Sequence, residues 1–544
     1  MLYLSKIMLL SASLFLAEPN SALPKLDIGS QDSHQLVSET TLAPGIKYFQ
    51  VNINSQTQQF TLTSEPFMKG DTNSISDYFK KIIELPNLST LLPNYKSKDD
   101  LEKHLVISEG PVSRIYFGRF NSEAKANEMK EYLKEYGIDF NTINLSSREN
   151  QRGNFEISIL EVKPSLYKGT VTSILANGVI QGTETVSNIV KKTNAYAATN
   201  GGYFSYIEDQ GTPGDPAGVS IINGSLVSEG ILNRPAFLIQ NFPILYFEIL
   251  NDVSTRISLN IGNQLIISDG INRKLKYRFN CGYVDDSKII PANHDVVCQD
   301  EDEIVVYDQY FGDVSSLLNK KNLTVWVDEH GKIYSKHTAA DSNLIPPKHY
   351  LIAATGAKKA QLKEYLINNS VIQVNRNLYS NGQKIPLREG MYVVNGGPTL
   401  LENGEFGSDK WAVQGWSPWL KPMGKESRDI RDEVSLQKDL ADNRLGFYDA
   451  WVNQRHPRTA VGITKSGKLY LVVIYGRNPT KSIGASITEM ASIMRSLGVT
   501  DALNLDGGGS SVMVVKDNLT GVPSDDSGER MVADSIVFIP NNKD

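Results

Sequence analysis

Cysteine is nearly absent from this 544-residue chain, which carries only Cys281 and Cys298. Two thiols cannot furnish a zinc or iron–sulfur site by themselves, and no H-E-x-x-H or paired metal-ligand spacing makes up the difference. Histidine is also sparse, with seven residues. Only His456 falls within a motif, and no G-x-S-x-G elbow occurs, which argues against a Ser-His hydrolase. Long basic runs are missing and the formal net charge is −6. The chain therefore lacks the electrostatic footprint of a nucleic-acid-binding protein and any polybasic membrane patch. No segment reaches the ~20 apolar residues that a membrane-spanning helix needs.

What is present suits a turn-rich globular protein. Hydrophobic residues make up 40% and charged residues 21%, with 42 glycines and 24 tyrosines. That composition and length favour two or three compact units with substantial β content. Residues Met1 to Ala22 place Lys6 ahead of an apolar stretch from Ile7 to Ala17, the layout of a secretory signal peptide. A secreted or periplasmic address follows as the expectation. In an exported chain the two cysteines would form one disulfide, and in a reducing compartment they would be two buried thiols.

Along the chain, Thr40 to Asn54 reads as a turn at Pro44-Gly45 leading into an alternating strand. Helical spacing from Ile75 to Leu85 follows. The next unit has a strand at Arg114 to Phe120 and then a helix capped by Asn121 or Ser122, with Ala126, Met129, Leu133 and Tyr136 on its inward face. Gly137 ends that helix, and strands follow at Ile138 to Leu145 and Phe155 to Val162. Hairpin signals at Asn223-Gly224, Asn403-Gly404 and Ser466-Gly467 predict mostly antiparallel sheet beyond residue 154. The charged stretch from Trp416 to Asp449 reads as an exposed excursion. Ser486 to Glu489 forms a capping box for an amphipathic helix carrying Met490, Ile493, Met494 and Leu497, closed by Gly498.

The chemistry concentrates where strands run into glycine turns. Asp501 to Leu505 leads into Asp506-Gly507-Gly508-Gly509-Ser510-Ser511. Successive glycines let backbone approach a ligand and can aim amides at a phosphate or carboxylate. A carboxylate at the edge of such a nest is poorly explained by packing. Two similar turns occur at Asn200-Gly201-Gly202 and Asn395-Gly396-Gly397. Three strand-to-Gly-Gly turns, each headed by Asn or Asp, predict polar side chains converging at one end of a sheet. Arg458, Arg477 and Arg530 lie close to strand ends, where a guanidinium suits bidentate grip on an anion.

Taken together, Asn200-Gly-Gly-Tyr-Phe204, Ile271-Asn-Arg273, Asn395-Gly-Gly-Pro398, Arg455-His-Pro-Arg-Thr-Ala460, Asp501-Ala-Leu-Asn-Leu-Asp-Gly-Gly-Gly-Ser-Ser511 and Glu529-Arg530 resemble the phosphodiester glycosidase family. The resemblance implies an α+β fold with a mixed, mostly antiparallel sheet, and hydrolysis at an anomeric carbon of sugar-phosphate or envelope-glycan substrates. It places the catalytic domain at 40–54 and 154–544, with an inserted module at 75–153. That module's strand, G-x-F, helix, glycine, strand order resembles the sporulation-related repeat, a βαββαβ unit. This second likeness implies peptidoglycan glycan strands as a partner, contacted near Tyr116, Gly118 and Phe120.

Such hydrolysis is normally served by two carboxyl groups. Asp506 is the candidate for one, with Asp215 and Glu529 as candidates for an acid. Arg458 and the amides from Gly507 to Ser510 would stabilise a departing phosphate. Asn200 and Asn395 would orient sugar hydroxyls or water. Gly201, Gly202, Gly396, Gly397, Arg477, Gly508, Gly509, Ser511 and Arg530 would complete the substrate site. Asp506 with Asn oxygens could alternatively hold Ca²⁺ or Mg²⁺. Two further readings stay open at this point: a non-catalytic glycan-binding protein, and a metal-assisted phosphodiesterase.

Overall fold

The computed structural model describes residues 23–541 except 29–32, 56–59, 65–66, 69–76, 78–79, 83, 86–104, 109–111, 121, 145–152, 210, 232, 280–283, 286–287, 290–296, 336–342, 367–370, 412, 417–450, 453 and 479. The signal-peptide expectation, Cys281 and nearly all of the 416–449 excursion lie outside the described residues. The expected disulfide therefore lies outside them as well.

The centre of the molecule is an eight-stranded sheet. Its strands lie in the order Gln35–Ala43, Ile46–Ser55, Gly153–Val162, Leu469–Ile474, Arg458–Thr464, Val499–Asn504, Thr399–Glu402 and Glu405–Phe406. The opening strand is stitched to residues far along the chain, with Tyr48 opposite Leu160 and Leu160 opposite Leu471. Both faces of this sheet are covered, which is why Leu469–Ile474 is apolar throughout rather than alternating. One face, carrying Val51, Ile157 and Val472, packs beneath the helix Ile487–Ser496 through Met490, Ile493 and Met494. That helix starts as its sequence predicts. Ser486 Oγ accepts from the Glu489 amide at 3.2 Å, and Glu489 Oε2 accepts from the Ser486 amide at 2.9 Å.

The opposite face, carrying Leu160, Val461, Leu471 and Leu503, meets two five-stranded sheets. One runs Asn518–Leu519, Met513–Val515, Ala197–Asn200, Asp534–Ile539, Thr170–Leu175. The other runs Ser225–Ser228, Ser220–Ile222, Met391–Asn395, Ala236–Gln240, Tyr246–Leu250. Mostly antiparallel sheet with few helices is thus what the hairpin signals predicted. A parallel pairing joins Gly270–Ile271 to Ile304–Tyr307. The hairpin turns are as expected: Asn223, Asn403, Gly224 and Gly404 all take positive φ, between 48° and 84°.

A small separate sheet contains Phe60–Ser64, Leu105–Ser108, Val112–Phe120 and Phe140–Asn144, with the helix Glu123–Glu135 against it. Ser122 caps this helix, its hydroxyl accepting from the Lys125 amide at 3.3 Å. Ala126, Met129 and Leu133 point inward. Tyr136 does not: it follows the last helical residue and is 45% exposed. The strand Gly153–Val162, which the sequence grouped near this unit, belongs to the central sheet. Gly118 and Phe120 are both buried, with the Phe120 ring folded back over Gly118, so these two do not form an exposed glycan-binding face.

Candidate active site

The three Gly-Gly turns are corners between sheets. Residues 504–513 carry the chain from the central sheet into the sheet of Ala197–Asn200, and residues 395–399 carry it from the Met391–Asn395 strand into the central sheet. The turn after Asn200 leaves the first of these neighbours. Hydrogen bonds join all three. Asn200 Nδ2 donates to Asp506 O at 2.8 Å, and the Asp506 amide donates to Gly201 O at 3.3 Å. The Gly397 amide donates to Asn504 O at 2.8 Å. Tyr203 Oη donates to Gly397 O and accepts from Asn504 Nδ2, each at 2.8 Å. The glycines permit this crowding. A Cβ on Gly201 would strike the Asp534 carboxyl, one on Gly202 or Gly218 would strike Asn395, and one on Gly396 would strike Asn504 O.

Asp506 stands at the junction and is half-buried. Burial of its surroundings is the largest influence and pushes its pKa up to about 7, with Asp534 adding to the rise. Ser510, the Gly507 amide and Arg530 pull the other way. Its Oδ1 accepts from the Gly507 amide at 2.8 Å. A carboxyl poised near neutrality can hold or release a proton at working pH, which is what proton transfer in a transition state requires.

Asp534 was not among the sequence candidates. It opens the strand Asp534–Ile539, is buried, and accepts from the Gly202 amide at 2.9 Å and from Ser173 Oγ at 3.4 Å. Burial lifts its pKa to about 6. Tyr203 is likewise part of the junction, and the Asp506 charge is among the causes that raise its pKa, after burial. Both residues lie inside or next to recognised motifs. Only the fold reveals that Asp534 lies under the Gly201-Gly202 turn.

Several expected roles change. Asn200 is fully buried and its amide is spent: Oδ1 accepts from Thr459 Oγ1 at 2.7 Å and from the Val512 amide at 3.2 Å, while Nδ2 holds Asp506. Asn395 is clamped onto the Tyr203 backbone at 3.0 and 3.2 Å. Both side-chain amides are thus engaged by the protein itself, and each carbonyl oxygen already accepts from it. Arg458 is also buried. Its guanidinium donates to Ala485 O at 3.0 Å, to Gln454 O at 3.2 Å and to Trp451 O, and lies 4.7 Å from the Trp451 ring centroid. Desolvation lowers its pKa to about 10. Its work is holding the 451–458 segment behind the site.

The glycine nest is partly self-satisfied. The Gly507 amide serves Asp506, the Gly508 amide serves Pro457 O at 2.9 Å, and the Ser510 and Ser511 amides serve Gly507 O and Gly508 O at 3.2 Å. Two arginines lie on the turn. Arg477 Nη2 would sit 3.1 Å from a Cβ on Gly508, and Arg530 Nη2 would collide with one on Gly509. Both are partly exposed, at 39% and 31%. His456 Nδ1 is 3.5 Å from Arg477 Nη2, at the edge of the site.

Glu529 is tied to the helix Val186–Thr193, where its Oε1 accepts from the Ser187 amide at 2.9 Å. Asp215 is buried with Oδ1 lacking a hydrogen-bond partner among the described residues. Its pKa is raised well above the carboxylate range by burial and then by Glu229, against the opposing pull of Arg273. It thus belongs to another cluster. There Arg273 pairs with Glu229 at 2.8 Å and Glu303 at 2.5 Å, and Asn272 donates to Asp308 at 2.9 Å. The Ile271-Asn-Arg273 motif is structural, not part of the Asp506 junction. Among the described residues no group of three or more His, Cys, Asp or Glu side chains is placed to share a metal ion.

Residues 321–539 match the model of the phosphodiester glycosidase family. That match supports the family for this chain and takes in Asn395, the Arg455–Ala460 motif, Asp506 and Arg530. It begins downstream of the 75–153 segment, so it lends the sporulation-related likeness no support. Among individual proteins, the chain is 36% identical over 102 residues to mouse N-acetylglucosamine-1-phosphodiester alpha-N-acetylglucosaminidase and 35% identical over 86 residues to the human enzyme. These alignments cover 19% and 16% of each chain, so the chain spans less than a fifth of the length of the curated relatives it matches. A solved protein of Burkholderia pseudomallei K96243, described as a candidate exported protein, is 26% identical with a TM-score of 0.67. That alignment covers 96% of this chain and 99% of the other. No described helix is long and apolar enough to cross a membrane.

Proposed function

We propose that the protein is an exported glycosidase that hydrolyses a phosphate-linked sugar at its anomeric carbon. The observation that carries the reading is the Asp506 carboxyl, with a pKa pushed up to about 7, on a glycine turn overlaid by Arg477 and Arg530. Attack at C1 breaks the bond between C1 and the bridging oxygen, and the phosphate monoester leaves with the electron pair. Water supplies the new hydroxyl of the sugar. Asp506 either takes the proton of that water or attacks C1 itself, the two roles open to a carboxylate in such reactions. A phosphate monoester is a good leaving group, so this chemistry does not need a second, protonated carboxyl beside the leaving oxygen. The two arginines supply the electrostatic stabilisation instead. Asp534 and Tyr203 keep the turns in register around Asp506.

The family match and the partial relatives support this reading, while the sugar and the aglycone are left to experiment. The purified protein and Asp506→Asn should be offered UDP-N-acetylglucosamine and a panel of nitrophenyl α-glycosides, with free sugar and sugar phosphate quantified separately. Free sugar that disappears in the variant is the expected result. Sugar phosphate as product would instead mean cleavage of the P–O bond, and glycan binding without turnover of any of these compounds would count against catalysis.

A further inference from the structure

Arg477 and Arg530 share a third partner that the proposed reaction does not use. Asp525 lies in the 521–530 loop that covers the glycine turn. Its Oδ2 accepts from Arg530 Nε at 2.7 Å, and its Oδ1 is 3.9 Å from Arg477 Nη1. A Cβ on Gly509 would strike Asp525 Oδ1 as well as Arg530 Nη2, so the carboxylate lies directly on the backbone of the turn. A reverse turn, with the Gly528 amide donating to Asp525 O at 2.9 Å, fixes the loop there. Thus one internal anion already stands between two cations over the glycines, where the departing phosphate of the proposed reaction would be held.

We infer that Asp525 is a built-in occupant of the anion seat, and that an anionic substrate group must displace it to engage Arg477 and Arg530. The inference rests on the proposed reading only for the identity of the substrate group; the seat itself is defined by the arginines and the turn. Asp525, Arg530 and Arg477 have side chains exposed by 22%, 31% and 39%. Ion pairs that are this open to water are weak, and the longer of the two contacts is loose, so exchange for a phosphate group is feasible. The carboxylate would keep the arginines oriented over the turn until such a group arrives.

The test is isothermal titration of inorganic phosphate into the full-length protein, the Asp525→Asn and Asp525→Ser variants, and Arg477→Ala/Arg530→Ala. Phosphate should bind both Asp525 variants about fivefold more tightly than the unaltered protein, because a like charge has been removed from the seat. The double arginine variant should show at least a tenfold loss. Unchanged or weaker binding in both folded Asp525 variants would overturn the inference and make Asp525 a support for the arginines. Because binding is read without turnover, this outcome is separable from failure of the glycosidase reading, which the Asp506→Asn product assay decides.

Discussion

The clusters around Asp506 and Arg273 both bury charge, and they are built on opposite plans. At Arg273 every strong donor has an acceptor: Glu229, Glu303, Tyr277 O and Asp269 O all receive from one guanidinium, and Tyr307 Oη donates to Arg273 O at 2.8 Å. The neighbouring carboxylates raise the Arg273 pKa against the opposing cost of burial. Nothing there can move without leaving a charge stranded. At Asp506 the scaffold is also hydrogen-bonded, through Asn200, Asn395, Asn504 and Tyr203, but the residue it supports is only half-buried and its carboxyl is poised near neutrality. The lesson is that burial alone does not mark a functional group. What distinguishes the two clusters is that most of the hydrogen bonds at Arg273 end on the charged group, whereas most of those at Asp506 end on the backbone that presents it.

Two substitutions should separate the clusters most sharply. Arg273→Met leaves Glu229 and Glu303 buried without their cation, and should cost about 3–5 kcal/mol in urea unfolding. Turnover per folded molecule should change little. Asp506→Asn should do the reverse, with catalysis falling by at least about 1,000-fold and no loss of stability. The sign of its pH effect follows from the raised pKa. A carboxyl whose folded pKa lies above its unfolded value favours the folded state below about pH 4, and that contribution is lost as the pH rises through about 7. Asp506→Asn should therefore be more stable than the unaltered protein at pH 8, by about 1–2 kcal/mol after allowing for the exposure of the carboxyl, and the gap should close near pH 4. A stability loss at pH 8 would erase the contrast between the two clusters.

A finer probe is Asp534→Asn. The native carboxylate helps to raise the Asp506 pKa, so removing the charge should shift the acidic limb of the kcat/KM profile to lower pH by about half a unit. The substituted side chain still offers an amide oxygen to the Gly202 N–H, so a drop in activity without a shift in the limb would mark Asp534 as structural support only.

How much of this was legible in the sequence depended on range. Local signals held: the Ser486 capping box, the Asn-Gly hairpins, and the run of apolar residues in Leu469–Ile474 all became the elements they suggest. The convergence of the Gly-Gly turns could also be expected, because three similar strand ends invite a common location. What could not be read was which side chains are used up. Asn200 and Asn395 look like ligand-facing amides, yet the sheet corners need them for backbone groups that would otherwise be buried without partners. Arg458 looked like a phosphate grip, but its neighbours in space are the carbonyls of residues 451, 454 and 485. Asp534 lies next to the Glu529-Arg530 motif, but its role could not be read there, since its partner, the Gly202 amide, lies 332 residues away.

The most direct test of the account is the pKa of Asp506 itself, read as the difference in carboxyl ¹³C titration between unaltered protein labelled at aspartate and Asp506→Asn. A resonance titrating near pH 7 that vanishes in the variant is the predicted result. A carboxyl that titrates near 4, like an ordinary surface aspartate, would contradict the central claim that this fold exists to present one tuned carboxylate.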